Sequence, residues 1–385
     1  MSGRKERFLP RDPPHVAMFV CGPTVQSEMH VGHARTYIFF DALVRYLGHL
    51  GYDVFYLMNI TDIDEKVSLA ASRAGEDPLA YSRRMTASLL DDLRLLNITQ
   101  VSRFELVSSH VEEMIRQITS LLDKKFAYQA DGWVYFDTTK FGHLGRLSHQ
   151  SKQDLALRPI ELSLRKRNLN DFALWRPEII IEGRWKSPWG VGSPGWHIQD
   201  TAITIPILGP QYDLHGGAYE LIYPHHEAEI AQAESITGVR PLVKYWVHTN
   251  LLRTEGLKMS SSLGNVVTVK EALRSWSADE IRVALLSIHY RKEAGLTGLG
   301  AARRKLRGMW RIAKRFPEKE SGDAHSLVQF ERALNDDFDS PAALEWAERT
   351  LKAAAKEPNQ KKARGLAASA MAGMRILGVD LLEYA

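Results

Sequence analysis

The hydrophobic pattern of the first 60 residues predicts a strand, a helix and a second strand. Residues 15–21 form a short apolar run that is typical of a buried strand, and a Gly-Pro pair ends it. Apolar side chains then recur at helical spacing over residues 30–50, with Asp41 as the exception inside the stripe. Residues 54–60 favour the second strand. This order, with a glycine-containing turn, predicts a parallel sheet.

Helical periodicity returns at 77–96 and 107–124, and it dominates the chain from about residue 270 to its end. Within that last part, residues 316–325 are predicted as a loop. Residues 125–190 differ from these helical segments, because they show short mixed segments, turns and a basic stretch instead of a long hydrophobic periodicity. They indicate an insertion in the α/β domain.

Strand-like apolar runs lie at 203–208 and 221–223, and a helix is expected to begin near residue 226. The pattern therefore predicts an α/β fold with a parallel sheet, an inserted subdomain and a helical bundle. The predicted boundaries are 1–124 and 191–275 for the two halves of the α/β domain, 125–190 for the insertion and 276–385 for the bundle.

Composition indicates an ordinary globular protein and excludes only a few other classes. The chain has 385 residues, of which 44% are hydrophobic and 25% are charged, as in ordinary globular proteins. No run of 18 apolar residues exists, so no membrane span is expected. A single cysteine, Cys21, excludes an internal disulfide and suits a reducing cytoplasm, where we expect a monomer. The net charge of +4 is too small to indicate nucleic-acid binding by itself.

Two short motifs carry candidate chemistry. His30-Val31-Gly32-His33 lies where the strand meets the helix, and a helix N-terminus favours anions such as a triphosphate. Gly32 would let a nucleotide lie against the backbone. Lys258-Met259-Ser260-Ser261-Ser262 could hold a pyrophosphate group through its lysine and hydroxyls. Taken singly, the histidines could equally be a capping or surface pair, and the second motif a solvated loop.

Together, in this order, the two motifs resemble the signatures of class I aminoacyl-tRNA synthetases. Further segments resemble the cysteinyl-tRNA synthetase family in particular, over roughly residues 15–380. These segments are FVCGPTV at 19–25, MNITDID at 58–64, DFALW at 171–175, PGWHI at 194–198, HGG at 215–217, PHHEAEIAQ at 224–232 and DDFDSP at 336–341.

The resemblance implies an enzyme that makes an aminoacyl adenylate from an amino acid and Mg²⁺-bound ATP. His30, His33 and Lys258 would act on the phosphates, and Trp196 would lie beside the amino-acid side chain. The other positions that the resemblance assigns to ATP or the adenylate are Cys21, Gly22, Thr24, Gly32, Thr36, Asn59, Thr61, Gly217, Glu220, Ser260, Ser261 and Ser262.

The family's zinc site is altered in this sequence. In the family, two cysteines, a histidine and a glutamate hold a zinc ion that binds the substrate thiolate. Cys21, His225 and Glu229 match three of these ligands, but Asp200 stands at the second cysteine. A carboxylate can still ligate zinc. If no metal binds, Asp200 becomes a buried carboxylate for which a cationic substrate group is a natural partner.

Other departures lie near the same pocket. Ser261 replaces a lysine of the family, and a serine cannot supply the charge that would face the leaving pyrophosphate. Glu220 replaces an aspartate, which would move a carboxylate by one methylene. The sequence also ends where we expect the helical bundle to end, without the family's anticodon-binding extension. These differences indicate a divergent paralogue with a changed substrate.

Three alternatives remain open for function. The acyl acceptor could be tRNA, for which the insertion would guide the acceptor strand. It could instead be a small-molecule amine or a carrier protein, since the cysteine ligase of mycothiol biosynthesis resembles this family and also ends at this point. The third alternative is a binding protein without catalysis on a synthetase fold. A basic stripe over 301–316 could track a phosphate backbone or simply be a solvated helix face.

Overall fold

A computed structural model describes residues 3–156, 160, 163–177, 185–254, 257–258, 266–316 and 327–384. Contacts divide the chain into two compact units. The first unit comprises residues 1–28, 55–89 and 101–248, and the second comprises 29–54, 90–100 and 249–385. None of the helices in the described ranges is long and apolar enough to cross a membrane.

The described elements alternate between strands and helices in the first two thirds of the chain and are mainly helical afterwards. The strands are β1 His15–Val20, β2 Asp53–Ile60, β3 Arg103–Leu106, β4 Ala127–Ala130, β5 Trp133–Phe136, β6 Phe172–Arg176, β7 Trp185–Ser187, β8 Gly190–Pro194, β9 Tyr212–Ala218, β10 Val243–Thr249, β11 Leu252–Thr254, β12 Leu257–Lys258 and β13 Ala294–Gly295. The helices are α1 Val31–His49, α2 Glu65–Ala74, α3 Pro78–Leu95, α4 Val111–Asp123, α5 Lys152–Ala156, α6 Ile198–Leu208, α7 Glu227–Thr237, α8 Val269–Leu273, α9 Ala278–Leu286, α10 Leu299–Ala313, α11 Val328–Asn335, α12 Ser340–Lys356 and α13 Gln360–Ile376.

The predicted parallel sheet is confirmed. Its five strands follow the order β10-β9-β1-β2-β3, and β1 pairs with β9, and β2 with β3, in parallel. Most residues of β1 and the second half of β2 are buried, as expected for strands inside a parallel sheet that helices cover on both sides. Phe19, Leu57 and Tyr212 from three of them enter one core with Met114 of α4 and Ile230 of α7. This core packs the sheet against α4 and α7.

Residues 127–194 contribute a second five-stranded sheet, in the order β4-β5-β6-β8-β7, in which neighbouring strands are antiparallel. It belongs to the first unit. The segment predicted as an insertion therefore has a sheet of its own. The division of the chain into four parts stays a prediction.

Two strand predictions are wrong. Residues 203–208 lie in α6, and residues 221–223 lie in irregular turns after β9. The run at 203–208 is short and mostly apolar, and periodicity alone cannot assign a run of this length to a helix or a strand. The strand between them, β9, was missed because its buried residues include Asp213, His215 and two glycines.

Asp41, the polar exception in the stripe of α1, is fully buried in the second unit. One of its carboxylate oxygens accepts hydrogen bonds from the backbone N–H groups of Thr99 and Gln100, at 2.8 and 3.2 Å. The other accepts from Arg45 Nε and Arg282 Nη1, both at 2.8 Å. Arg282 is itself fully buried, so this carboxylate balances a charge that has no access to water.

Asp41→Ala is expected to lower the free energy of unfolding by about 3–5 kcal/mol, because it leaves Arg282 buried and unpaired. Chemical unfolding followed by circular dichroism measures this. The matched control is Arg94→Ala, which breaks an exposed ion pair with Asp91 and should leave the midpoint nearly unchanged. An Asp41→Ala midpoint equal to that of the control would contradict the role of the buried pair.

Candidate active site

Four buried side chains with metal-binding atoms converge in the first unit. Cys21 Sγ lies 3.4 Å from Asp200 Oδ2 and 3.9 Å from Glu229 Oε1. His225 Nε2 lies 2.9 Å from each of these two carboxylate oxygens. None of the four residues is more than 6% exposed. The structure thus brings together the four residues at the sequence-predicted metal positions.

The parallel sheet and two helices position this cluster. Cys21 follows β1 directly, Asp200 lies in the first turn of α6, and Glu229 lies in the first turn of α7. His225 precedes α7 by two residues, so that it and Glu229, four positions apart, present their side chains on the same side. Residues just beyond the carboxyl ends of parallel strands are the usual place for ligands in open α/β sheets.

The cluster carries an excess of acidic groups in a site without water access. Burial, together with Glu229 and Asp200, raises the pKa of the Cys21 thiol well above its usual value. Burial alone would lower the pKa of His225, but the carboxylates of Glu229 and Asp200 raise it above its ordinary value. Burial of these carboxylates is costly without a counterion. A proton on His225, a metal ion or a cationic ligand can supply that charge.

Two further histidines, which the sequence analysis did not assign, point at the same thiol. His215 Nε2 and His226 Nε2 lie 3.4 and 3.3 Å from Cys21 Sγ. Their other ring nitrogens contact Tyr212 Oη at 2.6 Å and His248 Nε2 at 2.9 Å. Burial lowers the pKa of both rings, so both are neutral near pH 7. Both histidines belong to motifs of the sequence, HGG and PHHE. Their position beside Cys21 becomes visible only once the pairing register of β9 is known.

Trp196 and His197 surround His225. The Trp196 ring stacks on the His225 ring at a centroid distance of 4.3 Å and an interplanar angle of 18°. His197 Nδ1 lies 2.9 Å from His225 Nδ1, which leaves His225 Nε2 facing the carboxylates. Trp196 is half-buried beside the cluster, and Lys66 Nζ lies 5.9 Å from the centroid of its ring. This agrees with its predicted place beside an amino-acid side chain, which stays a prediction.

The predicted adenylate residues of the first unit lie at or just beyond the carboxyl ends of β1, β2 and β9. Thr24 forms a bridge with Thr61, and Thr61 N donates to Pro23 O at 3.1 Å. Asn59 is turned toward Asp200, with its Nδ2 2.9 Å from Asp200 Oδ1. Gly217 packs against the His226 ring, where an added Cβ would lie 3.1 Å away. Glu220 is exposed.

The histidine pair of the first motif lies in the second unit, at the N-terminus of α1. His30 caps the helix, since its Nδ1 accepts a hydrogen bond from His33 N at 3.3 Å. The two rings stack at 3.8 Å. Burial, helped by the neighbouring His30, lowers the pKa of His33 to about 3. Thr36 Oγ1 lies 2.7 Å from Thr249 Oγ1.

The predicted pyrophosphate loop lies outside the described residues. Only the backbone of Lys258 is described, as the end of β12, and Ser260, Ser261 and Ser262 are not.

The basic stripe of α10 is partly neutralised within the second unit, because Arg303 pairs with Glu280 and Lys305 with Glu348. Arg304, Arg307 and Arg311 lie on its more exposed sides.

The donor set of the cluster fits a zinc ion. Sulfur, imidazole nitrogen and carboxylate oxygen are the ligands that zinc accepts in four-coordinate sites. The ligand atoms of Cys21, Asp200, His225 and Glu229 all lie within 4.8 Å of one another, and so do those of Cys21, His215, His226 and Glu229. Asp200 supplies an oxygen where a second sulfur would be the softer ligand.

Comparisons with known proteins define the class. A sequence model of the family described as tRNA synthetases class I (C), catalytic domain, matches residues 7–298. The fold is similar to that of methionyl-tRNA synthetase from Mycobacterium tuberculosis, with a TM-score of 0.64 and 17% identity over 94% of this chain and 89% of that one. The chain therefore has the fold of a class I tRNA synthetase.

Two curated relatives define the family more narrowly. The cysteine–tRNA ligase of Pelotomaculum thermopropionicum is 40% identical over 362 residues, which cover 89% of this chain and 74% of that protein. The cysteine–tRNA ligase of Thermoplasma acidophilum is 45% identical over 289 residues, which cover 75% of this chain and 64% of that protein. The chain belongs to the cysteinyl-tRNA synthetase family, and it is an enzyme of the ligase class.

Proposed function

We propose that this chain activates cysteine with ATP and Mg²⁺ and transfers the cysteinyl group to the 3′ end of a tRNA. In the first step, a carboxylate oxygen of cysteine attacks the α-phosphorus of ATP, and the bond to the pyrophosphate oxygen breaks. In the second step, a ribose hydroxyl of the tRNA attacks the carbonyl carbon, and AMP leaves. Family membership supports this reaction. Positioning and electrostatic stabilisation supply most of its catalysis.

The buried cluster of Cys21, Asp200, His225 and Glu229 is the observation that carries the proposal. A zinc ion held by these residues would supply a Lewis acid that binds a thiolate and so selects cysteine. The half-buried Trp196 ring stacked on His225 then forms a wall of the side-chain pocket. His30, His33, Lys258 and the serines that follow it would contact the phosphates, and Thr24 and Thr61 the adenylate.

Asp200 also favours a second candidate substrate. Its carboxylate and that of Glu229 lie on either side of His225 Nε2, each 2.9 Å away. Without a metal ion, an ammonium or guanidinium group of an amino acid could balance the two carboxylates in place of a proton. The same fold would then activate a cationic amino acid, whose acceptor could be tRNA, a small-molecule amine or a carrier protein.

Radioactive pyrophosphate should be exchanged into ATP by the zinc-reconstituted chain only when cysteine is present, because reversal of the first step needs the adenylate. The assay is repeated, with the zinc-reconstituted chain and with the metal-free chain, for each of the other standard amino acids and for ornithine and diaminobutyrate. Exchange with a cationic amino acid but not with cysteine would support the second candidate. Absence of exchange with every amino acid would contradict both and favour a binding protein without catalysis.

Charging of bulk tRNA with labelled cysteine then tests the acceptor. Acid-precipitable label that persists during incubation without RNase and is lost after RNase treatment supports transfer to tRNA. Active exchange without such label would contradict tRNA as the acceptor and favour a small-molecule amine or a carrier protein.

A further inference from the structure

We infer that Asn59 is a positioning residue that orients the Asp200 carboxylate for metal binding, rather than a contact of the adenylate. This inference rests on the proposed metal site and deepens it. Asn59 is the penultimate residue of β2 and is 2% exposed. Its side chain lies between the backbone after β1 and the first turn of α6.

The backbone of Gly22 fixes which way the Asn59 amide points. Gly22 N donates a hydrogen bond to Asn59 Oδ1 at 2.6 Å. A side chain at position 22 would be impossible without a shift, since an added Cβ would lie 1.7 Å from Asn59 O. Because the oxygen faces Gly22, the amide nitrogen must face the opposite way, toward Asp200.

The amide nitrogen in turn selects one oxygen of Asp200. Asn59 Nδ2 donates to Asp200 Oδ1 at 2.9 Å, and Thr61 Oγ1 lies 3.4 Å from the same nitrogen. Asp200 Oδ2 is left to face Cys21 Sγ and His225 Nε2, at 3.4 and 2.9 Å. The carboxylate is therefore held to present a single oxygen to the cluster. A hydrogen-bonded outer partner of this kind orients a metal ligand and strengthens its binding.

This role depends on the aspartate. A carboxylate has two oxygens that can ligate a metal, whereas a thiolate has a single sulfur. A cysteine at position 200 would therefore not need the Asn59 amide to select its ligand atom. The energetic coupling between positions 59 and 200 thus distinguishes positioning from a general structural contribution.

The test is a double-mutant cycle on Zn²⁺ affinity, measured by competition with a chromophoric chelator. Asn59→Ala is expected to weaken Zn²⁺ binding by about 10- to 100-fold in the wild-type background, as loss of an outer-shell partner does. In the Asp200→Cys background the same change should weaken binding less than about threefold, within the usual additivity error.

Gln117→Ala is the matched control. Gln117 is also a buried amide and donates to the same helix, at Thr201 O, but it does not touch the carboxylate. Its Zn²⁺ affinity should equal that of the wild type. Equal losses for Asn59→Ala in both backgrounds would overturn the inference in favour of a structural role, and so would a wild-type chain that binds no Zn²⁺. Pyrophosphate exchange tests adenylation separately, so failure of the inference and failure of the proposed reaction are distinguishable.

Discussion

His33→Ala should lower the rate constant of amino-acid-dependent pyrophosphate exchange by about 10²- to 10³-fold, the usual cost of removing one donor aimed at developing charge. His33 lies one turn inside the N-terminus of α1, where backbone N–H groups and the helix dipole favour an anion. Its pKa is lowered to about 3 by burial and by the neighbouring His30. If it contacts the phosphates as proposed, it would do so as a neutral hydrogen-bond donor, and the KM for ATP should change much less than the rate constant.

The neutral state also predicts the pH dependence. A group with a pKa near 3 does not titrate between pH 6 and pH 9, so the loss caused by His33→Ala should be the same throughout that range. His49→Ala is the control, because His49 lies at the other end of the same helix and pairs with Glu331. A His33→Ala chain with unchanged exchange kinetics, or with a loss that disappears above pH 7, would contradict the assigned role.

The sequence predicted the elements correctly where the local hydrophobic pattern and the tertiary packing favour the same structure. The first strand, α1 and the second strand follow directly from the periods of their side chains. The family motifs also indicated Cys21, His225 and Glu229, and these side chains do meet. The departure at position 200 was also visible, because an aspartate stands there in place of the family's second cysteine.

What the sequence could not show depends on registers and on buried polar groups. His215 became a neighbour of Cys21 only through the pairing of β9 with β1, where Phe19 lies opposite His215. The buried polar residues of β9 concealed a strand inside the sheet, and the mostly apolar second half of α6, residues 203–208, resembled one. The adenylate contact expected for Asn59 stays a prediction, and no pattern encodes the hydrogen bond from Gly22 that accompanies the turn of its amide toward Asp200. Tertiary contacts override local preference at these sites.

Asp200→Cys should raise the affinity for Zn²⁺ by about tenfold or more, or about 1.4 kcal/mol, because a thiolate is a softer ligand than a carboxylate. The new side chain would start from the same backbone position in α6, where Asp200 already places an oxygen 3.4 Å from Cys21 Sγ and 2.9 Å from His225 Nε2. Zn²⁺ competition measures the affinity, and exchange with cysteine and with cationic amino acids measures the selectivity. We expect selectivity to move toward cysteine.

Asp200→Asn is the control that separates charge from ligand softness. It keeps the size of the side chain but removes its negative charge, so it should weaken Zn²⁺ binding while Asp200→Cys strengthens it. If the wild type activates a cationic amino acid, both variants should lose that activity, since both remove the carboxylate that balances the substrate charge. Unchanged Zn²⁺ affinity and unchanged selectivity in the cysteine variant would mean that position 200 does not face the bound substrate. In that case Cys21, His215 and His226, rather than Asp200, would be the residues of the buried cluster that hold the metal ion.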